Sequence, residues 1–223
     1  MLVTRTTVDS KSRPKPFAKY EPESRHAIRK VDVERDTTLV KLIELWNELE
    51  PYRLYYKNPP NEEFNEIKCG AKDIERFSLV LAEFQEQEGF DRFAGYFLSK
   101  LINNSPDREF VIHTCHLSIK INNIGLRNTK EITVNGDLGE YVGDEMPEEG
   151  VIIVKGNARS AGQKLNGGKI VIEGDVPEIA EEAENGEIHV NGEIGVVCLG
   201  APSNLTCVKI FHKGKQIWPS DNQ

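Results

Sequence analysis

The segment His113-Thr-Cys115-His116 is the densest group of metal-ligating residue types in the chain. Imidazole nitrogens and thiolates are ligands that Zn²⁺ prefers, and on one strand His113 and Cys115 would project from the same face. No second cluster completes a set of four ligands, and the four cysteines lie far apart without a Cys-x-x-Cys spacing. The residues therefore favour a buried cysteine and ordinary histidines, and we predict no metal and no cofactor.

The segment Gly162-Gln-Lys-Leu-Asn-Gly-Gly-Lys169 resembles a phosphate-binding loop. It lacks the Ser or Thr after the lysine and leads into a strand, whereas phosphate loops open a helix. The other histidines, His26, His189 and His212, have no Ser or Cys partner at a spacing typical of nucleophilic catalysis. We identify no catalytic residue from these patterns.

Two loops are rich in carboxylates, for which solvated surface charge is the ordinary interpretation. An alternative is a β-helix enzyme or binding protein that acts on a carbohydrate or other small molecule, with these groups as acid and base. Few aromatic residues accompany them to stack on sugar rings. The acidic residues are Asp144, Glu145, Glu148 and Glu149 in one loop, and Glu178, Glu181, Glu182 and Glu184 in the other.

The elements that would position these groups are predicted by a repeat. The unit I-x-(I/V)-x-G occurs four times in the chain. Its glycines recur at spacings of 20, 18 and 18 residues, and a second glycine series steps by 18 residues toward Asn204. A period near 18 with one short strand per unit is typical of a solenoid whose strands stack. The first series is Gly136, Gly156, Gly174 and Gly192, preceded by Ile132/Val134, Ile152/Val154, Ile170/Ile172 and Ile188/Val190; the second is Gly150, Gly168 and Gly186.

The residue between each aliphatic pair points outward, because side chains alternate along a strand. Two of these outward residues, Ile153 and Val171, are apolar, so we expect the helical segment or another chain to cover them. After Gly174 the residues are acidic and lack an internal glycine, which predicts a bulge or a local partner site. A left-handed hexapeptide helix is disfavoured because the aliphatic residues occur in pairs once per unit.

Four regions follow from the changes of pattern: a flexible basic arm (1–35), a helical segment (36–107), the repeats (108–218) and a tail (219–223). Within the helical segment we expect a first helix from Thr38 to the residue before Pro51, with Thr37 or Thr38 as its N-cap. Further helices are expected over about 73–88 and 91–102. A period of two at Leu117, Ile119 and Ile121 predicts a strand that leads into the repeats.

Net charge is −8 with an isoelectric point near 5.3, which argues against general binding of nucleic acid or anionic membranes. Residues 1–30 are the exception, with eight basic and three acidic residues; they carry +5, and the rest of the chain carries −13. The chain has no apolar run near the ~20 residues of a membrane span, and its start is too polar for a secretory signal. We therefore expect a cytoplasmic protein.

The repeats resemble the GXGXG domain, which is found in the large subunit of glutamate synthase and in a component of formylmethanofuran dehydrogenase. The likeness rests on Gly136-Asp-Leu-Gly-Glu-Tyr-Val-Gly143, Gly156-Asn-Ala158, Ala161-Gly162 and Leu165-Asn-Gly-Gly-Lys-Ile-Val-Ile-Glu-Gly-Asp175. The preceding Phe90-Asp-Arg-Phe-Ala-Gly95-Tyr-Phe-Leu-Ser99 is similar to that family's Asp-Arg-x-x-Gly-x-x-Leu-Ser segment. The resemblance covers roughly 88–200 and implies a right-handed parallel β-helix that serves as a structural element between subunits.

The combined prediction is a mainly β protein with an α-helical N-terminal part. Its β region is expected to be a right-handed, single-stranded parallel β-helix of about four to five rungs, capped by helices. We expect a non-catalytic scaffold or protein-interaction module that binds a protein partner or a second copy, with no nucleic acid or membrane. By the resemblance, it would be a subunit or assembly element of a redox or amidotransferase complex.

Overall fold

The computed structural model describes residues 33–50, 52, 61–199 and 207–219 of the 223-residue chain. Most of the predicted arm, Asn204 and tail residues 220–223 lie outside these ranges. The helices precede the strands, as the change of period predicts. They are α1 (Thr37–Glu48), α2 (Asn61–Asn65), α3 (Ala71–Val80), a 3₁₀ turn (Leu81–Glu83) and α4 (Phe90–Asn104).

The strands form a parallel β-solenoid of about five turns, which confirms the predicted fold class. A seven-stranded sheet has the order β1-β2-β3-β5-β7-β9-β10, and a three-stranded sheet has the order β4-β6-β8. The strands are β1 (Glu109–His113), β2 (Glu131–Asn135), β3 (Val151–Val154), β4 (Ser160–Ala161), β5 (Asn166–Ile172), β6 (Val176–Ile179), β7 (Asn185–Val190), β8 (Ile194–Val197), β9 (Lys209–His212) and β10 (Lys215–Trp218).

The four predicted aliphatic pairs lie in register on successive turns. Ile132 pairs with Ile152, Ile152 with Ile170, and Ile170 with Ile188. Every member of the four pairs is at most 1 % exposed, because both flanking positions of each unit point into the solenoid. Phe110 before the first pair and Ile210 after the last occupy the same column, so the stacked core extends by one strand at each end of the glycine repeat.

Glycine is required in the repeat for two different reasons. A Cβ at Gly156 would lie 2.5 Å from the carbonyl oxygen of Gly136 on the preceding turn, so the requirement there is close approach of backbones. Gly143 instead has φ +70°, and its Cβ would lie 2.6 Å from Cδ1 of Ile170. The Gly143 position recurs at Gly125, Gly162 and Ala180, all with positive φ.

Helix α4 closes the N-terminal end of the solenoid through one face. The Asp91 carbonyl accepts a hydrogen bond from the Asn122 N–H (2.7 Å), and the Ser99 hydroxyl accepts one from the Gly125 N–H (2.9 Å). A Cβ at Gly95 would lie 1.7 Å from the Asn122 carbonyl oxygen, so only glycine permits this approach. Asp91, Gly95 and Ser99 are four residues apart and therefore share one side of the helix.

An aromatic cluster joins the helices to one another and to the first turn. The centroid of the Trp46 ring lies 5.0–6.1 Å from the ring centroids of five phenylalanines, which include Phe84, Phe93 and Phe97. Its Nε1 donates to Oε1 of Gln87 at 2.8 Å. The buried residues of the helices and of the solenoid form one continuous cluster. The helices therefore extend the hydrophobic core beyond β1, which confirms the predicted helical cap.

A β-hairpin ends the seven-stranded sheet at the other end. Strand β9 pairs in parallel with β7, and β10 turns back antiparallel to β9. Lys213 and Gly214 between them have φ 50° and 78°, as in a two-residue type I′ turn.

Three helix boundaries differ from prediction. The N-cap of α1 is Asp36, whose Oδ1 accepts from the Leu39 N–H at 2.9 Å, and not Thr37 or Thr38. The helix predicted over 73–88 is shorter, because α3 ends at Val80 and only a 3₁₀ turn follows. Helix α4 runs from Phe90 to Asn104, slightly beyond the predicted 91–102.

Two strand predictions were also wrong. Residues 117–121 form no strand, although Leu117, Ile119 and Ile121 alternate, because the chain turns there toward α4. The register irregularity lies between Asn166 and Lys169 of β5, where Gly167 and Gly168 oppose a single residue of β7. The segment after Gly174 forms strand β6 without the predicted bulge, and its turn uses left-handed Ala180 and Glu182 in place of glycine. The alternative, a local partner site in this segment, stays a prediction.

Candidate functional site

The His113–His116 segment does not bring its side chains together as a metal site. Strand β1 ends at His113, so Cys115 lies beyond the strand and is exposed, which contradicts the predicted buried cysteine. The His113 ring is 3.0 Å from Oε1 of Glu75 on α3. His116 is buried, and desolvation, followed by the neighbouring His113, lowers its pKa and favours the neutral ring. In the described part of the chain, no three His, Cys, Asp or Glu residues are grouped to hold a metal ion.

The phosphate-like segment Gly162–Lys169 forms the corner of the solenoid after β4 and the first residues of β5. Its backbone N–H groups donate to other turns: Gly162 to the Val142 carbonyl (2.8 Å) and Lys164 to the Glu181 carbonyl (2.8 Å). A Cβ at Gly167 would lie 2.6 Å from the Glu148 backbone. The glycines therefore allow close packing between turns. The N–H groups of Gly162 and Lys164 already donate to carbonyl oxygens and do not point at a phosphate site.

The acidic loops contribute to a charge ladder rather than to a paired acid and base. Arg127, Glu145, Lys164 and Glu182 follow one another on successive turns, with alternating charge and φ between 47° and 53°. Arg127 Nε donates to Glu145 Oε2 at 2.6 Å, and Lys164 Nζ is 4.0 Å from Glu182 Oε2. Each of these surface pairs contributes little to stability, but together they neutralise the corner. Burial, and then Glu145, raises the pKa of Asp144 beside this ladder.

A second ladder uses the residues that follow the glycines of the first series. Asp137 Oδ1 accepts from the Asn157 backbone N–H (2.9 Å) and side-chain Nδ2 (3.0 Å). Asn157 Oδ1 accepts from the Asp175 N–H at 2.8 Å, and Asp175 Oδ1 accepts from the Glu193 N–H at 2.8 Å. The Gly-Asp and Gly-Asn pairs of the repeat are thus structural, since each side chain bonds the backbone of the next turn.

The remaining histidines have structural partners on the last turns. His189 stacks on Phe211 with 4.3 Å between ring centroids and lies 3.0 Å from Glu187 Oε2. The His212 ring is 2.9 Å from the Gly192 carbonyl oxygen. His26 lies outside the described residues.

A further feature is a column of side chains on the outer face of the seven-stranded sheet, here called the outer column. Its members occupy the middle position of each solenoid strand and are all partly exposed. Parallel register stacks them along the whole solenoid. The outer column is Val111, Thr133, Ile153, Val171, His189 and Phe211.

Charged residues flank this column on both sides. Lys155 Nζ donates to Glu173 Oε1 at 2.6 Å on one side, and Lys209 Nζ lies 3.7 Å from Glu187 Oε1 on the other. Helix α3 packs on β1, and no described helix packs extensively on β3 or β5. Among the described elements, the helices thus cap the end of the solenoid and leave Ile153 and Val171 at its side.

Sequence reasoning found the centre of the outer column but missed its ends, Val111 and Phe211. The unit at β1 lacks the terminal glycine, because Thr114 stands there, and the unit at β9 ends in Gly214 but has His212 in place of the second aliphatic residue. The signal that remained was the alternation itself, Phe110-Val111-Ile112 and Ile210-Phe211-His212.

Comparison of the chain with protein-family models, with curated proteins and with solved structures found no match in any of the three. None of the described helices combines the length and apolar character needed to span a bilayer.

Proposed function

We propose that this protein is a non-catalytic interaction module that docks on a protein surface through the outer column. The observation that carries the proposal is the outward apolar pair Ile153 and Val171 on adjacent turns, with Val111 and Phe211 further along the same column. Contiguous apolar residues on a surface favour association, because contact with another apolar surface removes them from water. The salt-bridged rim around them matches the usual polar border of an interface.

Several of the histidines and carboxylates considered as catalytic candidates make contacts within the protein, and these contacts favour a binding role over catalysis. His189 is stacked, His212 binds a carbonyl oxygen, and Glu145 and Glu182 pair with residues on adjacent turns. Groups used in this way hold the turns in register, which is what a rigid docking surface needs.

The likeness of residues 88–200 to the GXGXG domain supports a more specific proposal. We infer that the partner is a subunit of a redox or amidotransferase complex, in which this chain is an assembly element. The contacts of Asp91, Gly95 and Ser99 with the first turn give that sequence motif a structural purpose. A second copy of the chain is the other partner that the outer column suits, because identical surfaces can meet around a two-fold axis.

The test is light scattering on the full chain and on Ile153→Lys, with Val196→Lys as the matched control. Val196 is 57 % exposed on the three-stranded sheet, so lysine there adds the same charge away from the outer column. A dimeric full chain, a dimeric Val196→Lys and a folded, monomeric Ile153→Lys would identify a second copy as the partner of the outer column. If the full chain is monomeric, the three proteins are compared as tagged baits in the native host.

In that comparison, a partner retained by the wild type and Val196→Lys but lost from Ile153→Lys supports docking through the outer column. Equal retention by all three baits, or none retained beyond background, contradicts it. A redox or amidotransferase subunit among the retained proteins would support the more specific proposal, and an unrelated partner would overturn only that part.

A further inference from the structure

A groove of about 1000 Å³ lies where the helical cap meets the solenoid, on a different side from the outer column. One wall is the turn that precedes and begins α4, residues 85–92. The other wall consists of solenoid loops at residues 119–123 and 139–141 together with Arg159. Because two packed elements form its walls, the groove exists before any ligand binds.

Tyr141 is the unusual residue of this groove. Its φ is 62°, a left-handed conformation that costs a bulky residue roughly 1–2 kcal/mol relative to the right-handed one. The side chain is 37 % exposed, and within the described residues its hydroxyl has no hydrogen-bond partner. Its backbone N–H donates to the Ser160 hydroxyl at 2.9 Å, which holds the loop in place.

Other left-handed residues of the solenoid show why Tyr141 differs. Arg127 and Glu145 pair with each other across turns, and Ala180 is buried in the core. Among the described residues with positive φ, Tyr141 is the one aromatic side chain. Its ring lines the groove, beside the exposed Ile119.

The charged lining of the groove is balanced. Three cationic residues, Arg92, Lys120 and Arg159, face three acidic ones, Glu86, Asp91 and Glu140. Arg159 Nε is 3.3 Å from Glu140 Oε1, and Lys120 Nζ is 3.2 Å from Asp137 Oδ2. With no net charge, the groove has no field to concentrate a phosphate or a polycation. It offers donors and acceptors side by side next to an aromatic ring.

We propose that this groove binds a neutral carbohydrate. One sugar ring stacks its apolar face on Tyr141, and its hydroxyls bond to the Glu140–Arg159 pair and to Lys120. Sugar hydroxyls both donate and accept, so adjacent carboxylate and cationic groups satisfy them without a charged ligand. The tyrosine ring supplies apolar contact with little conformational entropy to lose. This inference is independent of the outer column and uses none of its residues.

The geometry offers a clean test, because glycine is the natural residue at φ 62°. Tyr141→Gly removes the ring and relieves the backbone, which offsets the loss of the ring's covered surface, so the variant is expected to fold. Tyr141→Phe keeps the ring. Ile217→Gly removes another exposed apolar side chain, on β10, and is the matched control.

Full-length proteins are titrated with cellotetraose, xylotetraose, chitotetraose and maltotetraose by calorimetry and ligand-observed NMR. We expect saturable binding of at least one, weakened about tenfold or more in Tyr141→Gly and preserved in Tyr141→Phe and Ile217→Gly. Absence of saturable binding for all four probes, or binding unchanged in Tyr141→Gly, would overturn the proposal. A neutral, capped apolar tetrapeptide that binds with the same dependence on Tyr141 would identify a peptide groove instead and also overturn it.

Discussion

The glycines of the first series are needed because adjacent turns approach too closely for a side chain. Each turn places its glycine against the carbonyl of the one before: Gly156 against Gly136, Gly174 against Gly156, and Gly192 against Gly174. Their φ values are ordinary except at Gly136, where φ is 133°. The regular spacing of these glycines along the chain therefore reflects packing, whereas the Gly143 series reflects backbone conformation.

Gly156→Ala is expected to destabilise the protein by about 3 kcal/mol, the upper part of the range for overpacking, because the blocking atoms are backbone. Gly214→Ala is the control. Nothing lies within 4 Å of a Cβ there, so only the left-handed penalty of about 1 kcal/mol applies. Urea unfolding followed by circular dichroism measures both, and equal midpoints for the two variants would refute the steric explanation.

The turns are held in register by side chains that bond to the backbone of the next turn, in addition to the parallel ladders themselves. Asp137, Asn157 and Asp175 use this position in succession. For Asp137, burial raises the pKa, but hydrogen bonds from Asn157 and the contact with Lys120 outweigh it, so the pKa lies below its ordinary value of 3.8. The ionised form therefore favours the folded state.

Asp137→Ala is expected to lose roughly 1–2 kcal/mol at pH 7, because the Asn157 N–H loses its acceptor. Since the folded pKa is depressed, this stabilisation is fully present above the unfolded pKa. It disappears as pH falls through the folded value, below 3.8.

Asp137→Asn keeps an acceptor oxygen, as Asn157 does one turn later, and should retain most of the stability at pH 7 without the acid dependence. Unfolding free energies of the three proteins between pH 7 and pH 3 provide the measurement. A gap between wild type and Asp137→Ala that widens toward pH 3 would contradict the assigned role.

Across the whole molecule, the helical cap and the solenoid share one core. Trp46 lies in the aromatic cluster of the cap, and Phe110 and Ile112 of β1 belong to the same buried cluster. A cap that buries the first turn protects one open end of the solenoid, where unpaired strand edges would otherwise invite association. The two regions distinguished in the sequence should therefore unfold together.

In a Trp218→Phe background, Trp46 is the one remaining tryptophan of the chain, so its fluorescence reports the cap. Circular dichroism near 217 nm reports mainly the strands. We expect coincident midpoints for the two signals in urea, as in a two-state transition. A cap that melts at a lower urea concentration than the strands would show that 36–107 and 108–218 are separate folding units.

The local pattern of the chain was enough to predict the solenoid, its period and its inward residues. A strand repeat with a fixed alternation constrains burial directly, since each aliphatic pair needs the same neighbours on the next turn. The outward direction of Ile153 and Val171 followed from the same alternation. The order of helices and strands also followed, because the period changes from about 3.6 to 2 near residue 108.

Tertiary structure decided what depends on residues distant in the chain. The strand suggested by Leu117, Ile119 and Ile121 does not form, because the backbone after it packs against α4, where Asn122 contacts Gly95. Because β1 ends at His113, the side chains of Cys115 and His116 do not join that of His113. The contact of the His113 ring is instead Glu75 on α3. The groove at Tyr141 joins residues 85–92 to loops as far away as Arg159. No periodicity encodes such meetings, since they arise only when the cap packs on the stacked turns.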